Sequence, residues 1–168
     1  MRVASLFIGL LLAAGVPAPN DAAAQTAQRV IALDARLAGD ASRTPLVIDL
    51  NKKVDVRAYT LANPNRVVID LPEVSFDLPV GAGQKSRGLI NAFRYGQFAP
   101  GKARIVIDLR EPVRIDKTFV LAAVDDQPAR LVIDLVRTDA AAFLKNAIVP
   151  ERLQTAGPKA QPKLTPAD

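Results

Sequence analysis

Asp49, Asp70, Asp108 and Asp134 each occupy the third place of the same tetrapeptide, Val-Ile-Asp-Leu, at residues 47–50, 68–71, 106–109 and 132–135. Recurrent carboxylates raise the question of acid–base chemistry, which needs two of them converging on one cleft with separated pKa values. Four equivalent copies with no sign of such convergence point instead to a repeat of the fold. The chain has no Cys and no His. That removes thiol nucleophiles, Ser-His-Asp triads, disulfides and the nitrogen and sulfur ligands that zinc prefers. No catalytic residue, metal ligand or cofactor is therefore expected, and the chain reads as a non-enzyme. An acid among large aliphatics is seldom buried unless it is paired, so the elements that carry these aspartates decide what they do.

Between residues 29 and 136 short runs rich in Val, Ile and Leu alternate with Pro and Gly, the pattern of an all-β domain. Eight strands are predicted near 29–37, 45–50, 54–61, 66–71, 89–97, 103–109, 113–121 and 130–136. Side chains alternate faces along a strand. In residues 66–71, Val67, Ile69 and Leu71 share one face and Arg66, Val68 and Asp70 the other. The same split sets Arg104, Val106 and Asp108 together, then Arg130, Val132 and Asp134, then Pro45, Val47 and Asp49. Charge pairs between neighbouring strands contribute about 0.2–1 kcal/mol each, so this face reads as a partly solvated surface guarded against edge aggregation.

The four copies form two pairs, since the block 46–71 aligns with the block 105–135. Val47 maps to Val106 and Val68 to Val132, with extra residues around 124–127. Arg36 falls opposite Arg94 in the preceding strands. The prediction is an all-β fold of two symmetric four-stranded sheets, sandwich-like, from an internal duplication joined by residues 72–88. A closed eight-stranded ligand barrel is the weaker alternative. Asn63 and Pro64 read as a turn.

At the start, Arg2, an apolar core over residues 6–14 and Ala22, Ala23 and Ala24 have the layout of a signal peptide over 1–24. A periplasmic destination follows, with no membrane span after cleavage; a retained anchor is the rival. Residues 138–149 read as a short helix, and Pro150, Pro158, Pro162 and Pro166 make 138–168 a helix plus linker or tail. The net charge of +5 suits an anionic partner. Export and the lack of a basic stripe argue against nucleic acid.

The sequence "LANPNRVVIDLP" at 61–72, followed by "GLINAFRYGQFAPGKARIVIDL" at 88–109, resembles the AMIN domain. The most specific elements are the strand at 63–71, the "R-x-G-Q" turn at 94–97 and the closing "ARIVIDL" strand, and the resemblance covers residues 30–136. This family is the N-terminal, peptidoglycan-targeting module of periplasmic N-acetylmuramoyl-L-alanine amidases and also occurs in secretins. The resemblance implies two symmetric four-stranded sheets and a non-catalytic role, binding peptidoglycan and localising an attached hydrolase at the envelope or septum. Two alternatives stay open: the N-terminal portion of an amidase that is active only with its zinc domain, and an adaptor for a secretin or divisome protein.

If the resemblance holds, the candidate binding residues are Arg36, Arg66, Arg87, Arg94, Tyr95 and Gln97. Guanidinium groups grip carboxylates bidentately, while an amide and a phenol read sugar hydroxyls and amides. The competing reading pairs Arg36 and Arg94 with strand aspartates and puts Tyr95 in the core.

Overall fold

A computed structural model describes residues 29–149. The segment expected to direct export, 1–24, and the Pro-rich stretch from Pro150 onward lie outside the described residues. The described residues form nine strands and one helix: β1 Val30–Leu37, β2 Arg43–Leu50, β3 Arg57–Leu61, β4 Arg66–Pro72, β5 Val74–Phe76, β6 Ile90–Ala99, β7 Lys102–Leu109, β8 Val113–Leu121, β9 Ala129–Arg137 and α1 Ala140–Asn146. They build an all-β sandwich of two sheets, ordered β5-β1-β2-β9-β8 and β3-β4-β7-β6, and do not close into one barrel.

Alternation along the strands produces the core. Ile48, Ile69, Ile107 and Ile133 are at most 1% exposed, and Leu46, Leu131 and Leu135 join them between the sheets, while the aspartates of the same tetrapeptides face outward. The two halves interlock, each giving two strands to each sheet. Replacing β1, β2, β3 and β4 by β6, β7, β8 and β9 turns β1-β2-β9-β8 into β6-β7-β4-β3, so the duplication exchanges the sheets. At the centre of each sheet two Val-Ile-Asp-Leu strands pair antiparallel, with Val47 opposite Val132 and Val68 opposite Val106.

The departures from expectation are local. The five-stranded sheet gains β5, which lies parallel to β1 with Val74 beside Val30 and covers that edge. It comes from the joining stretch 72–88 and has no copy in the other half, so the repeat gave no hint of it. The strand expected from residue 54 begins at Arg57. The hairpin between β3 and β4 turns at Asn63, in the left-handed region at φ 57° that Asn tolerates, and Pro64.

Helix α1 starts at Asp139, whose carboxylate accepts the Ala142 N–H at 2.8 Å, and buries Phe143 against Ala62. Beyond it the Ile148 N–H donates to the Thr60 carbonyl and the Ala62 N–H to the Ile148 carbonyl, each at 2.9 Å, capping part of the free β3 edge. Among the described residues, no helix is long and apolar enough to cross a membrane.

Candidate functional site

The outer faces of the two sheets carry the charged side chains, and the register shows that they share one plan. Across the four-stranded sheet runs the row Tyr59, Val68, Val106, Arg94. Across the five-stranded sheet the corresponding row is Phe119, Val132, Val47, Arg36. Beside each row an aspartate receives two guanidinium groups. Asp108 accepts from Arg66 Nε at 3.0 Å and Arg94 Nη2 at 3.1 Å. Asp49 accepts from Arg130 Nε at 2.9 Å and Arg36 Nη1 at 2.7 Å. The duplication maps one triad onto the other.

The faces differ in their balance of charge. On the four-stranded face Arg57, Arg66, Arg94 and Arg104 stand among the strand carboxylates Asp70 and Asp108. On the five-stranded face Arg36, Arg43, Arg114, Lys117 and Arg130 meet Asp34, Asp49, Asp116 and Asp134. Arg36 is held by Asp34 as well as Asp49, and Arg43 by Asp116 and Asp134. The four-stranded face is thus the cation-rich one. The Tyr59 phenol on it is raised above its ordinary pKa by burial, with Asp70 adding to the effect, and stays neutral at physiological pH.

The predicted site residues do not form one cluster. Arg66 and Arg94 share Asp108, whereas Arg36 lies on the opposite face of the sandwich. Arg87 belongs to the loop before β6, where its Nε donates to the Gly39 carbonyl at 3.1 Å. Residues 94–97 lie inside β6 rather than at a turn, paired with β7 from Val106 to Ala103. Alternation therefore sends Tyr95 away from Arg94. Its ring lies 5.0 Å from that of Phe76 and 6.2 Å from that of Phe93, against the core. Gln97 Nε2 donates to the Val74 carbonyl at 2.6 Å and ties β6 to β5. Both side chains are occupied in holding the sheets together.

Arg104 and Phe98 were not among the candidates. Arg104 donates to both Asp70 oxygens, from Nε at 2.6 Å and Nη2 at 3.1 Å, and its guanidinium carbon lies 3.9 Å from the Phe98 ring centroid. Such stacking fixes the plane of a guanidinium and adds a cation–π attraction. Arg104 was legible in the outward register of its strand. Phe98 was not, because the register shift between Gln97 and Ala99 brings it over Arg104. Among the described residues no cluster of carboxylates is arranged to hold a metal ion.

The Asp49 triad is sensitive to acid. Burial works against its charge, but the hydrogen bonds from Arg36 and Arg130 outweigh it and hold the carboxyl below the usual range. A folded-state pKa below the unfolded one gives stability that is complete above the usual carboxylate range and is lost as pH falls through the folded value. The melting temperature should therefore fall as the pH drops through and below the usual carboxylate range. Asp49→Asn should lower stability at pH 7 and flatten that fall; an unchanged slope in thermal melts would show that this carboxylate does not contribute to it.

Fold and faces together define a class: a duplicated β-sandwich that presents charged outer surfaces. The chain belongs to the AMIN domain family, whose profile matches residues 33–135. It is similar to an N-acetylmuramoyl-L-alanine amidase AmiC of Escherichia coli, at 32% identity over 103 residues, which is 59% of this chain and 24% of that protein. It is also 32% identical over 96 residues to an AmiC of Neisseria meningitidis, covering 55% of this chain and 23% of the relative. The chain thus spans about a quarter of the length of the curated relatives it matches.

Proposed function

We propose that this chain is a non-catalytic peptidoglycan-binding module that localises a cell-wall amidase in the periplasm, with the outer face of the four-stranded sheet as its contact surface. The observation that carries this reading is the cation-rich face around Arg66, Asp108 and Arg94, found in an AMIN domain whose relatives are named N-acetylmuramoyl-L-alanine amidases. Peptidoglycan bears carboxylates and amides, which guanidinium groups recognise through directed hydrogen bonds. Catalysis would rest on the separate zinc domain that the family resemblance implies, and this chain has no His or Cys of its own to hold zinc. Arg36 and Arg87 then lie outside the main surface, and Tyr95 and Gln97 support it from behind.

A second reading, docking on a secretin or divisome protein, is favoured by one observation. Strand β8 ends the five-stranded sheet as an edge and exposes Phe119 at 40% and Leu121 at 52%, which suits pairing with another strand.

Sedimentation with purified sacculi tests the first reading. The chain should pellet with them at low salt and be released as NaCl is raised, because exposed charges are screened over about 10 Å at 0.1 M. Recovery wholly in the supernatant at low salt would reject wall binding, and crosslinks to protein that survive wall digestion would favour docking.

A further inference from the structure

One corner of the four-stranded face has no counterpart in the other half. Gly96 lies opposite Arg104, and a Cβ built on it would meet nothing within 4 Å. Its bare backbone floors an open hollow of about 220 Å³ lined by Arg94, Phe98, Arg104 and Val106. The Asp70 carboxylate and the Phe98 ring hold Arg104 in place. Arg94 commits one nitrogen, Nη2, to Asp108, and its side chain is 61% exposed. A guanidinium carries five N–H donors, so most of those on Arg94 remain for a ligand.

On the five-stranded face the duplication puts Ala38 in place of Gly96 and Pro45 in place of Arg104. Pro45 offers no charge, and Asp34 stands where the four-stranded sheet has Ala92. Arg36 consequently donates to Asp34 at 3.2 Å in addition to Asp49. The same plan is cationic on one face and neutralised on the other.

We propose that the Gly96 hollow is a carboxylate subsite, in which Arg94 takes a carboxylate of the cell wall while Phe98 packs against the apolar atoms next to it, and that the five-stranded face has no equivalent. This rests on the wall-binding reading and names the group recognised. Two wall carboxylates fit: those of the stem peptides, and the lactyl carboxylate bared on the sugar when a stem is removed.

Binding isotherms of the chain are measured on three materials: native sacculi, sacculi whose carboxylates have been amidated with carbodiimide and methylamine, and glycan stripped of peptide. Amidation should weaken binding about tenfold or more, the scale of losing a charge-assisted hydrogen bond. Preference for native over stripped glycan assigns the peptide carboxylate, and the reverse preference assigns the lactyl group. Arg94→Gln and Gly96→Leu should each weaken binding to native sacculi about tenfold, whereas Ala38→Leu, the matching change on the other face, should leave it unaltered. Thermal melts confirm that each variant is folded, and Arg94→Gln tests the subsite without adding bulk. Equal binding to native and amidated sacculi, or unchanged binding by Arg94→Gln and Gly96→Leu, overturns the subsite alone. Failure of the unaltered chain to bind native sacculi rejects the wall reading itself.

Discussion

Ile107→Ala is expected to lower stability by about 2–5 kcal/mol, while Val106→Ala, its neighbour in the same tetrapeptide, should cost about 1 kcal/mol or less. The two residues differ in the face they occupy. Ile107 is 0% exposed and lies between the sheets, so truncation removes buried apolar atoms and leaves a cavity. Val106 faces outward beside Val68 and Arg94, where water and long side chains fill the vacated space. For a domain whose total stability is about 5–15 kcal/mol, the first loss should lower the melting temperature by about 10 °C. Comparable losses at both positions in denaturant titrations would contradict the assigned alternation. Because the central strands pair across the pseudo-twofold, Ile48→Ala and Val47→Ala should repeat the contrast in the other sheet.

Thr44→Val carries the second large effect, since this hydroxyl joins the two halves. Thr44 is 0% exposed; its Oγ1 donates to the Asp40 carbonyl at 2.6 Å and accepts the Leu89 N–H at 3.0 Å. Valine keeps the shape but strands a buried N–H, at a cost of about 1–3 kcal/mol. Thr44→Ser keeps the hydroxyl and should retain most of the stability. Gly88 belongs to the same junction: it has φ +51°, and a Cβ there would stand 2.3 Å from the Asp40 carbonyl oxygen. Gly88→Ala should thus destabilise at least as much as Thr44→Val. Equal melting temperatures for Thr44→Val and Thr44→Ser would show that the hydroxyl does not hold the junction.

Much of this architecture is legible because it depends on local periodicity. The alternation in Arg66-Val67-Val68-Ile69-Asp70-Leu71 fixes which side chains face the core, and the matched blocks reveal the duplication. How the halves interlock is not local: nothing in the sequence of β2 says that it pairs with β9 rather than with a strand of its own half. Strand β5 is short, flanked by Pro72 and Pro79 and outside the repeat, so neither signal reaches it.

The candidate site was partly legible for the same reason. Arg66 and Arg94 are arginines at outward strand positions, and the structure brings them to one aspartate. A turn at residues 94–97 would place Tyr95 and Gln97 with Arg94, but a strand sends alternate side chains to opposite faces. The open space over Gly96 and the stack of Phe98 on Arg104 depend on a bulge and on neighbours from another strand. Such features follow from tertiary placement and leave no mark in spacing.

The central claim, that the outer face of the four-stranded sheet binds the wall, is tested most directly by amide chemical-shift mapping of the isotopically labelled chain titrated with soluble, peptide-bearing muropeptides. Shifts should concentrate on β4, β6 and β7 around Arg66, Arg94, Gly96 and Arg104, with the five-stranded face unmoved. Shifts confined to β8, to the loop around Arg87 or to the Arg36 face, or no shifts at saturating muropeptide, would contradict it.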